Sequence, residues 1–226
     1  MTLARRTFKS WESDDVADSC RLYLVTSTEW LGRRSLATCV AEAIVGGATM
    51  VQLRQKRHER FDMAKQARDL APVCRIANVP LIVNDDLEVA KIAGVDGVHV
   101  GKSDISCSQA REELGEGAII GVTVDAIEDA VQAQEDGASY LMVGPMNPIE
   151  NQPDRPCVPM SVLEGIVSAV DLPVVAFGSF DRDNLDELAG TGIRGVAFMA
   201  PILSAPDIER ATREVDAALD EVIPNT

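Results

Sequence analysis

A short run near residue 50 carries the first side chains that could do chemistry. Gln52, Arg54 and Lys56 occupy every second position of the run 51–56. A β-strand places alternate side chains on the same face, so an amide and two cations would lie together and could bind phosphate. The pattern is also compatible with a strand that ends in a solvated loop, because the polar run continues beyond it.

Acidic residues follow two later apolar runs. Asn84, Asp85 and Asp86 come directly after the run 81–83, and Asp104 follows the run 97–100. Mg²⁺ in enzymes is usually held by one or two carboxylates together with substrate phosphate oxygens. Asp is also a preferred helix cap, so one of the two adjacent acids is expected only to cap the next helix. Two acids and two cations together predict a metal and pyrophosphate site.

Three further positions could complete a site. Thr123 supplies a hydroxyl after the run 119–122, and Gly178 and Ser179 follow the run 174–176, where loop amides of a barrel often bind phosphate. His99 lies inside an apolar run and is expected to be a hydrogen-bonded core residue. The chain has two histidines, and their setting favours neither a Ser-His-Asp arrangement nor a zinc site.

Apolar runs alternate with segments able to form helices, which is typical of βα units around a parallel sheet. This alternation predicts an α/β chain with a single (β/α)8 TIM barrel over residues 20–226 and an N-terminal extension over residues 1–19. A doubly wound sheet is the alternative, but no glycine-rich fingerprint follows the first run. The predicted strands are Arg21 to Thr26, Thr49 to Arg54, Leu81 to Val83, Gly97 to Val100, Ile119 to Val122, Tyr140 to Val143, Val174 to Ala176 and Gly195 to Phe198.

Composition limits the class of protein. The chain has 226 residues, is 46% hydrophobic and carries a formal net charge of −15. Its length suits one domain, and no apolar run approaches the ~18 residues that suggest a membrane span. The acidic balance argues against nucleic acid or an anionic membrane as a partner. Five separated cysteines without a CxxC pair indicate reduced thiols and the cytoplasm, and a homo-oligomer stays open.

The order and spacing of these motifs resemble the thiamine-phosphate synthase family from about residue 21 to residue 210. The segments that carry the resemblance are Leu22 to Thr26, Val51 to Lys56, Val83 to Asp86, Asp96 to Asp104, Gly121 to Thr123, Tyr140 to Pro145 and Val174 to Gly178. That family joins hydroxymethylpyrimidine pyrophosphate to thiazole phosphate on a (β/α)8 barrel and releases pyrophosphate. Both compounds are therefore the expected small-molecule substrates.

The resemblance implies a role for each matching position. Gln52 would face the pyrimidine, Asp85 and Asp104 would bind Mg²⁺, and Thr123 and Gly178 would contact substrate. The pyrophosphate would be held by Arg54, Lys56 and Asn84, of which Arg54 and Lys56 would be catalytic by stabilising the leaving group.

The chain departs from the family after the sixth strand. Where the family has Thr-x-Thr-Lys, this sequence reads Ile149-Glu150-Asn151-Gln152, in which Asn151 retains hydrogen-bonding capacity and Arg155 lies nearby. One alternative is therefore a regulatory barrel that binds the pyrophosphorylated pyrimidine, or thiamine phosphate, without turnover. A thiazole tautomerase is less favoured, because that group relies on a histidine after the fifth strand, where this chain has Thr123 to Asp125.

Overall fold

The structure, a computed structural model, describes residues 11–55, 59–149 and 154–223. Eight parallel strands form a closed barrel in chain order, so the predicted (β/α)8 fold is confirmed. The strands are β1 Leu22–Val25, β2 Met50–Leu53, β3 Leu81–Asn84, β4 Gly97–Val100, β5 Ile119–Val124, β6 Tyr140–Val143, β7 Val174–Phe177 and β8 Gly195–Phe198.

The strands are almost continuously apolar because both faces of the barrel wall are buried. Val51 and Leu53 of β2 point outward and belong to the core shared with the helices. Met50 points inward and belongs to a second core, which fills the barrel. Gln52 is 2% exposed and shares the inward face of Met50, as the alternation in the sequence predicts.

Helices surround this wall within the described residues. Several of them begin at a side-chain cap: Ser35 accepts from Thr38 N at α2 (Leu36–Val45), and Ser106 forms a capping box with Gln109 at α5 (Cys107–Leu114). Gly94 ends α4 (Leu87–Ala93) in the left-handed conformation, which glycine adopts without strain. The helices are α1 Ser13–Ser19, α2 Leu36–Val45, α3 Arg60–Ile76, α4 Leu87–Ala93, α5 Cys107–Leu114, α6 Ile127–Glu135, α7 Met160–Ala169, α8 Ala200–Leu203 and α9 Ile208–Val222.

The connection after β7 differs from the prediction of a helical segment after every strand. It contains a single 3₁₀-helix over Leu185–Leu188 in place of an α-helix. Short polar side chains hold the preceding backbone in turns, since Asp181 N donates to Asn184 Oδ1 and Asp183 N donates to Asp181 Oδ1. Such local bonds compete with the bonds of an α-helix.

The described part of the predicted N-terminal extension covers the amino ends of the strands. Val16 of α1 is buried in the core that fills the barrel, and Trp11 packs against the same core. Trp11 Nε1 donates to Asp96 Oδ1 at 3.0 Å, while Asp96 Oδ2 accepts from Leu81 N at 2.9 Å. This helix therefore closes the end of the barrel opposite to the predicted site.

Two remaining sequence expectations concern cysteines and membranes. All five cysteines are free, as the sequence indicates; four of them are buried and Cys157 is exposed. No α-helix in the described ranges has both the length and the apolar character needed to cross a bilayer.

Candidate active site

The carboxyl end of β2 places Arg54 between β1 and β3. Arg54 N donates to Thr26 Oγ1 at 3.1 Å, and Thr26 N donates to Gln52 O at 2.9 Å, so the backbone here is tied to the end of β1. The Arg54 side chain is half-buried. Lys56, the other predicted cation, lies outside the described residues.

The charge of Arg54 is balanced by acids nearby. Burial lowers the pKa of the Arg54 guanidinium, and the carboxylates of Asp85 and Glu29 oppose that shift. Arginine remains protonated in proteins even so. The structure therefore brings one predicted phosphate-binding cation together with one predicted metal ligand, Asp85.

The two adjacent acids after β3 have different tasks. Asp86 Oδ1 accepts from Val89 N at 3.0 Å, which caps α4, and Asp86 Oδ2 pairs with Arg60 Nε at 2.6 Å. Asp85 is exposed and has a positive φ of 64°, while its amide donates to His99 O at 2.8 Å. Asp85 therefore lies before the N-cap of α4, and the capping bond to Val89 N comes from Asp86. The expectation that one acid only caps is thus met by Asp86.

Asp104 lies in the loop that follows β4, the strand next to β3. Its Oδ2 accepts from Gly101 N at 2.7 Å, which fixes the loop after the strand. Its charge also acts on the imidazole of His99, the residue whose carbonyl oxygen accepts from Asp85 N. Asn84, the last residue of β3, is paired in register with the same histidine. Three predicted site residues therefore border His99.

His99 is a core residue with both ring nitrogens bonded. Nδ1 lies 2.9 Å from Tyr140 Oη and Nε2 lies 2.7 Å from Thr123 Oγ1. Thr123, predicted at the end of β5, lies within that strand because β5 continues to Val124. Burial lowers the pKa of the His99 imidazole to about 4, and Asp104 opposes the shift. His99 is therefore neutral at pH 7.

The free energy of unfolding should fall as the pH drops from about 6.5 to 4, because in this range His99 is protonated in the unfolded chain and neutral in the folded protein. The contribution of His99 to stability is fully present above the pKa of the unfolded chain. It falls by about 3 kcal/mol as the pH is lowered to the pKa of the folded state. Urea unfolding at several pH values would measure it. A His99→Gln variant should lose this part of the slope, and an unchanged slope would contradict the expectation.

The other side of the barrel mouth, at β6 and β7, carries Gly178 and Arg155. A Cβ on Gly178 would lie 2.9 Å from Asn147 N and 3.2 Å from Met146 N, so glycine permits close packing of two loops. Arg155 is exposed, with its guanidinium carbon 5.5 Å from the centre of the Phe177 ring and Nη2 3.5 Å from Gly144 O. Asn151 lies outside the described residues.

The sequence interpretation missed two tyrosines inside the barrel. Tyr23 and Tyr140 are fully buried, and their hydroxyl oxygens lie 2.6 Å apart. Gln52 Nε2 donates to Tyr23 Oη at 3.0 Å, so the predicted pyrimidine-facing amide is joined to both. The available signal was strand alternation, which puts Tyr23 on the inward face between the outward residues Leu22 and Leu24.

A closed barrel with an arginine, an amide and two carboxylates at neighbouring strand carboxyl ends belongs to the class of TIM barrels whose sites lie at that face. The model of the family described as thiamine monophosphate synthase matches residues 22–202. The chain belongs to this family.

Individual relatives agree with the family match. The chain is 37% identical over 202 residues to a thiamine-phosphate synthase of Clostridium tetani, a match that covers 89% of this chain and 97% of the relative. A synthase of Roseiflexus castenholzii is 40% identical over 193 residues and 85% of each chain. The solved thiamine phosphate pyrophosphorylase from Pyrococcus furiosus superposes with a TM-score of 0.83 at 31% identity, covering 92% of this chain and 98% of that one.

Proposed function

We propose that the chain condenses hydroxymethylpyrimidine pyrophosphate with thiazole phosphate in a Mg²⁺-dependent reaction that yields thiamine phosphate and pyrophosphate. The observation that carries this proposal is the grouping of Arg54, Asn84, Asp85 and Asp104 at the carboxyl ends of β2, β3 and β4. These residues come from three adjacent strands and supply the groups that a metal-bound pyrophosphate requires.

The reaction breaks one covalent bond and forms one. The carbon–oxygen bond between the pyrimidine methylene and the pyrophosphate breaks, and the pyrophosphate leaves with the electron pair. The thiazole nitrogen donates its lone pair to the methylene carbon, which forms the new carbon–nitrogen bond. Arg54 stabilises the charge that develops on the leaving oxygen, and a fixed cation in a partly buried site does so more strongly than water.

The donor set at β3 and β4 fits Mg²⁺. Asp85 and Asp104 offer hard carboxylate oxygens, and both border His99. Within the described residues there is no group of three or more His, Cys, Asp or Glu placed to hold a metal. Two carboxylates plus substrate oxygens suit Mg²⁺, which when bound neutralises the pyrophosphate charge.

The direct test mixes the purified protein with both substrates and Mg²⁺ and assays thiamine phosphate after oxidation to its fluorescent product. Formation of product that stops on chelation of Mg²⁺ is expected. Mg²⁺-dependent binding of the pyrimidine substrate without product would instead favour the regulatory barrel. Neither binding nor product would refute the proposed site.

Arg155 is the residue that we assign to the phosphate of the thiazole, in place of the family's loop lysine. It lies over Phe177 at the ends of β6 and β7, across the barrel from Arg54. An Arg155→Ala variant should raise the KM for thiazole phosphate about tenfold, the lower range for a bond to a charged group. Arg155→Lys should recover part of this effect.

Arg182 provides a matched control in the loop after β7. It is exposed and pairs with Glu214 at 3.1 Å. Steady-state kinetics of Arg182→Ala should match the unaltered protein. Equal KM values for Arg155→Ala and Arg182→Ala would remove Arg155 from the site.

A reducing, cytoplasmic location is also proposed. Its support is the set of five free cysteines, since oxidising compartments favour disulfides.

A further inference from the structure

A row of five hydrogen-bonded side chains crosses the interior of the barrel below the candidate site. Gln52 of β2 donates to Tyr23 of β1 at 3.0 Å, and the Tyr23 and Tyr140 hydroxyl oxygens are 2.6 Å apart. The Tyr140 hydroxyl oxygen of β6 lies 2.9 Å from His99 Nδ1, and His99 Nε2 lies 2.7 Å from Thr123 Oγ1 of β5. The two ends of the row, Gln52 and Thr123, are the residues expected to contact substrate.

The packing of the barrel is built around this row. A Cβ on Gly121 would lie 2.0 Å from Tyr140 Cζ and 2.5 Å from His99 Nδ1, so only glycine leaves room for the contact. The His99 and Tyr140 rings stack with centroids 5.6 Å apart, and the Tyr23 and Tyr140 rings meet edge to face at 5.7 Å. The rings of Tyr23, Tyr140 and His99 therefore cannot change position without moving this core.

The protons in such a row must all point the same way. Because Gln52 Nε2 donates to Tyr23, the Tyr23 hydroxyl retains its own proton, and its other partner among the described residues is Tyr140. Tyr140 then accepts from Tyr23 and donates to His99 Nδ1. A neutral imidazole that accepts at Nδ1 carries its proton on Nε2 and donates to Thr123. Reversal of one bond alone would leave two donors or two acceptors facing each other in the interior.

We propose that Tyr23, Tyr140 and His99 are positioning residues that hold the Gln52 carbonyl oxygen towards the site and leave the Thr123 hydroxyl proton free to donate to substrate. This inference rests on the proposed function for the identity of the substrate. It makes the pocket selective for a ring that carries a hydrogen-bond donor, as the amino group of the pyrimidine does. A ring with an oxo group at that position would meet the Gln52 oxygen with a second acceptor.

The direction of the row can be read in the protein without substrate. In protein labelled with ¹⁵N-histidine, the two-bond nitrogen–proton correlations distinguish the imidazole tautomers, and the chain has only two histidines to assign. His99 with its proton on Nε2 is expected. A proton on Nδ1 would mean that every bond runs in the opposite sense, with the Gln52 amide turned round, and would overturn the proposal.

Tyr140→Phe breaks the row at its centre while keeping the ring. The Tyr23 proton loses its acceptor, and the Gln52 amide is expected to turn and accept it, which presents its NH₂ group to the site. The affinity for the aminopyrimidine pyrophosphate should fall about tenfold, with the KM for thiazole phosphate unchanged. The preference for the amino over the oxo analogue should fall from at least about a hundredfold to less than about tenfold. Tyr23→Phe removes the bond that the Gln52 amide makes to Tyr23 and should weaken the same preference.

Met50→Leu is the matched control, because Met50 is fully buried in the same interior core and belongs to none of these bonds. It should retain the preference and both KM values. If Tyr140→Phe folds with a thermal transition like that of Met50→Leu and keeps the full preference, the proposal is wrong. Binding of the two pyrimidine analogues is measured by calorimetry without turnover. Absence of synthase activity in the unaltered protein would therefore refute the proposed function. A His99 proton on Nδ1, or an unchanged preference for the amino analogue in Tyr140→Phe, would refute this inference alone.

Discussion

Replacing Asp85 by asparagine is expected to lower kcat/KM at least about a hundredfold and to raise the Mg²⁺ concentration needed for half-maximal rate. The reason is the loss of one of two carboxylates proposed to hold the metal. Asparagine is the informative substitution because the residue has a φ of 64°, a conformation that asparagine adopts with little strain. Alanine at this position would mix backbone strain with loss of the charge. Mg²⁺ titrations of the fluorescent product assay would measure both effects.

The neighbouring acid provides the control. Asp86→Asn keeps the cap of α4, since asparagine caps helices as well as aspartate, and loses the pair with the exposed Arg60. Its activity and its Mg²⁺ dependence should stay close to those of the unaltered protein. If Asp86→Asn lost the activity and Asp85→Asn kept it, the two roles assigned here would be reversed.

The barrel could be predicted because each βα unit carries its own signal. The alternation of outward and inward residues along β2 follows from strand geometry, and Gly94 ends α4 as a glycine at this position does. The prediction for the connection after β7 was wrong, because this connection contains a 3₁₀-helix in place of an α-helix. Asp181 and Asn184 form local bonds whose outcome depends on competition with an α-helix, and the residue types alone do not decide it.

The site was predictable in its polar strand ends and unpredictable in its interior. The adjacent residues Asp85 and Asp86 after a strand predict one site carboxylate and one helix cap. Only the structure shows that Asp86 is the cap and that Asp85 has a left-handed backbone before it. The row through Tyr23 and Tyr140 depends on contacts between β1 and β6, which lie 117 residues apart in sequence. Closure of the barrel brings these strands face to face, and no local pattern encodes that meeting.

Arg54→Gln is expected to weaken the binding of inorganic pyrophosphate about a hundredfold in the presence of Mg²⁺, and to lower kcat/KM by at least as much. The guanidinium is half-buried, so it has already given up part of its hydration and meets the phosphate with little further cost. Arg54→Lys should recover the charge without the planar pair of donors and give an intermediate affinity.

Arg60→Gln tests whether the effect belongs to the site or to charge alone. Arg60 begins α3 on the same βα unit, is 62% exposed in its side chain and pairs with Asp86. Loss of its charge changes the net charge of the protein as much as Arg54→Gln does, yet removes no group from the pyrophosphate side. Calorimetry with pyrophosphate should therefore give an affinity within about twofold of the unaltered protein for Arg60→Gln, because exposed charges contribute little. Equal losses in the two variants would mean that Arg54 acts through the general field of an acidic protein and makes no direct contact with the pyrophosphate.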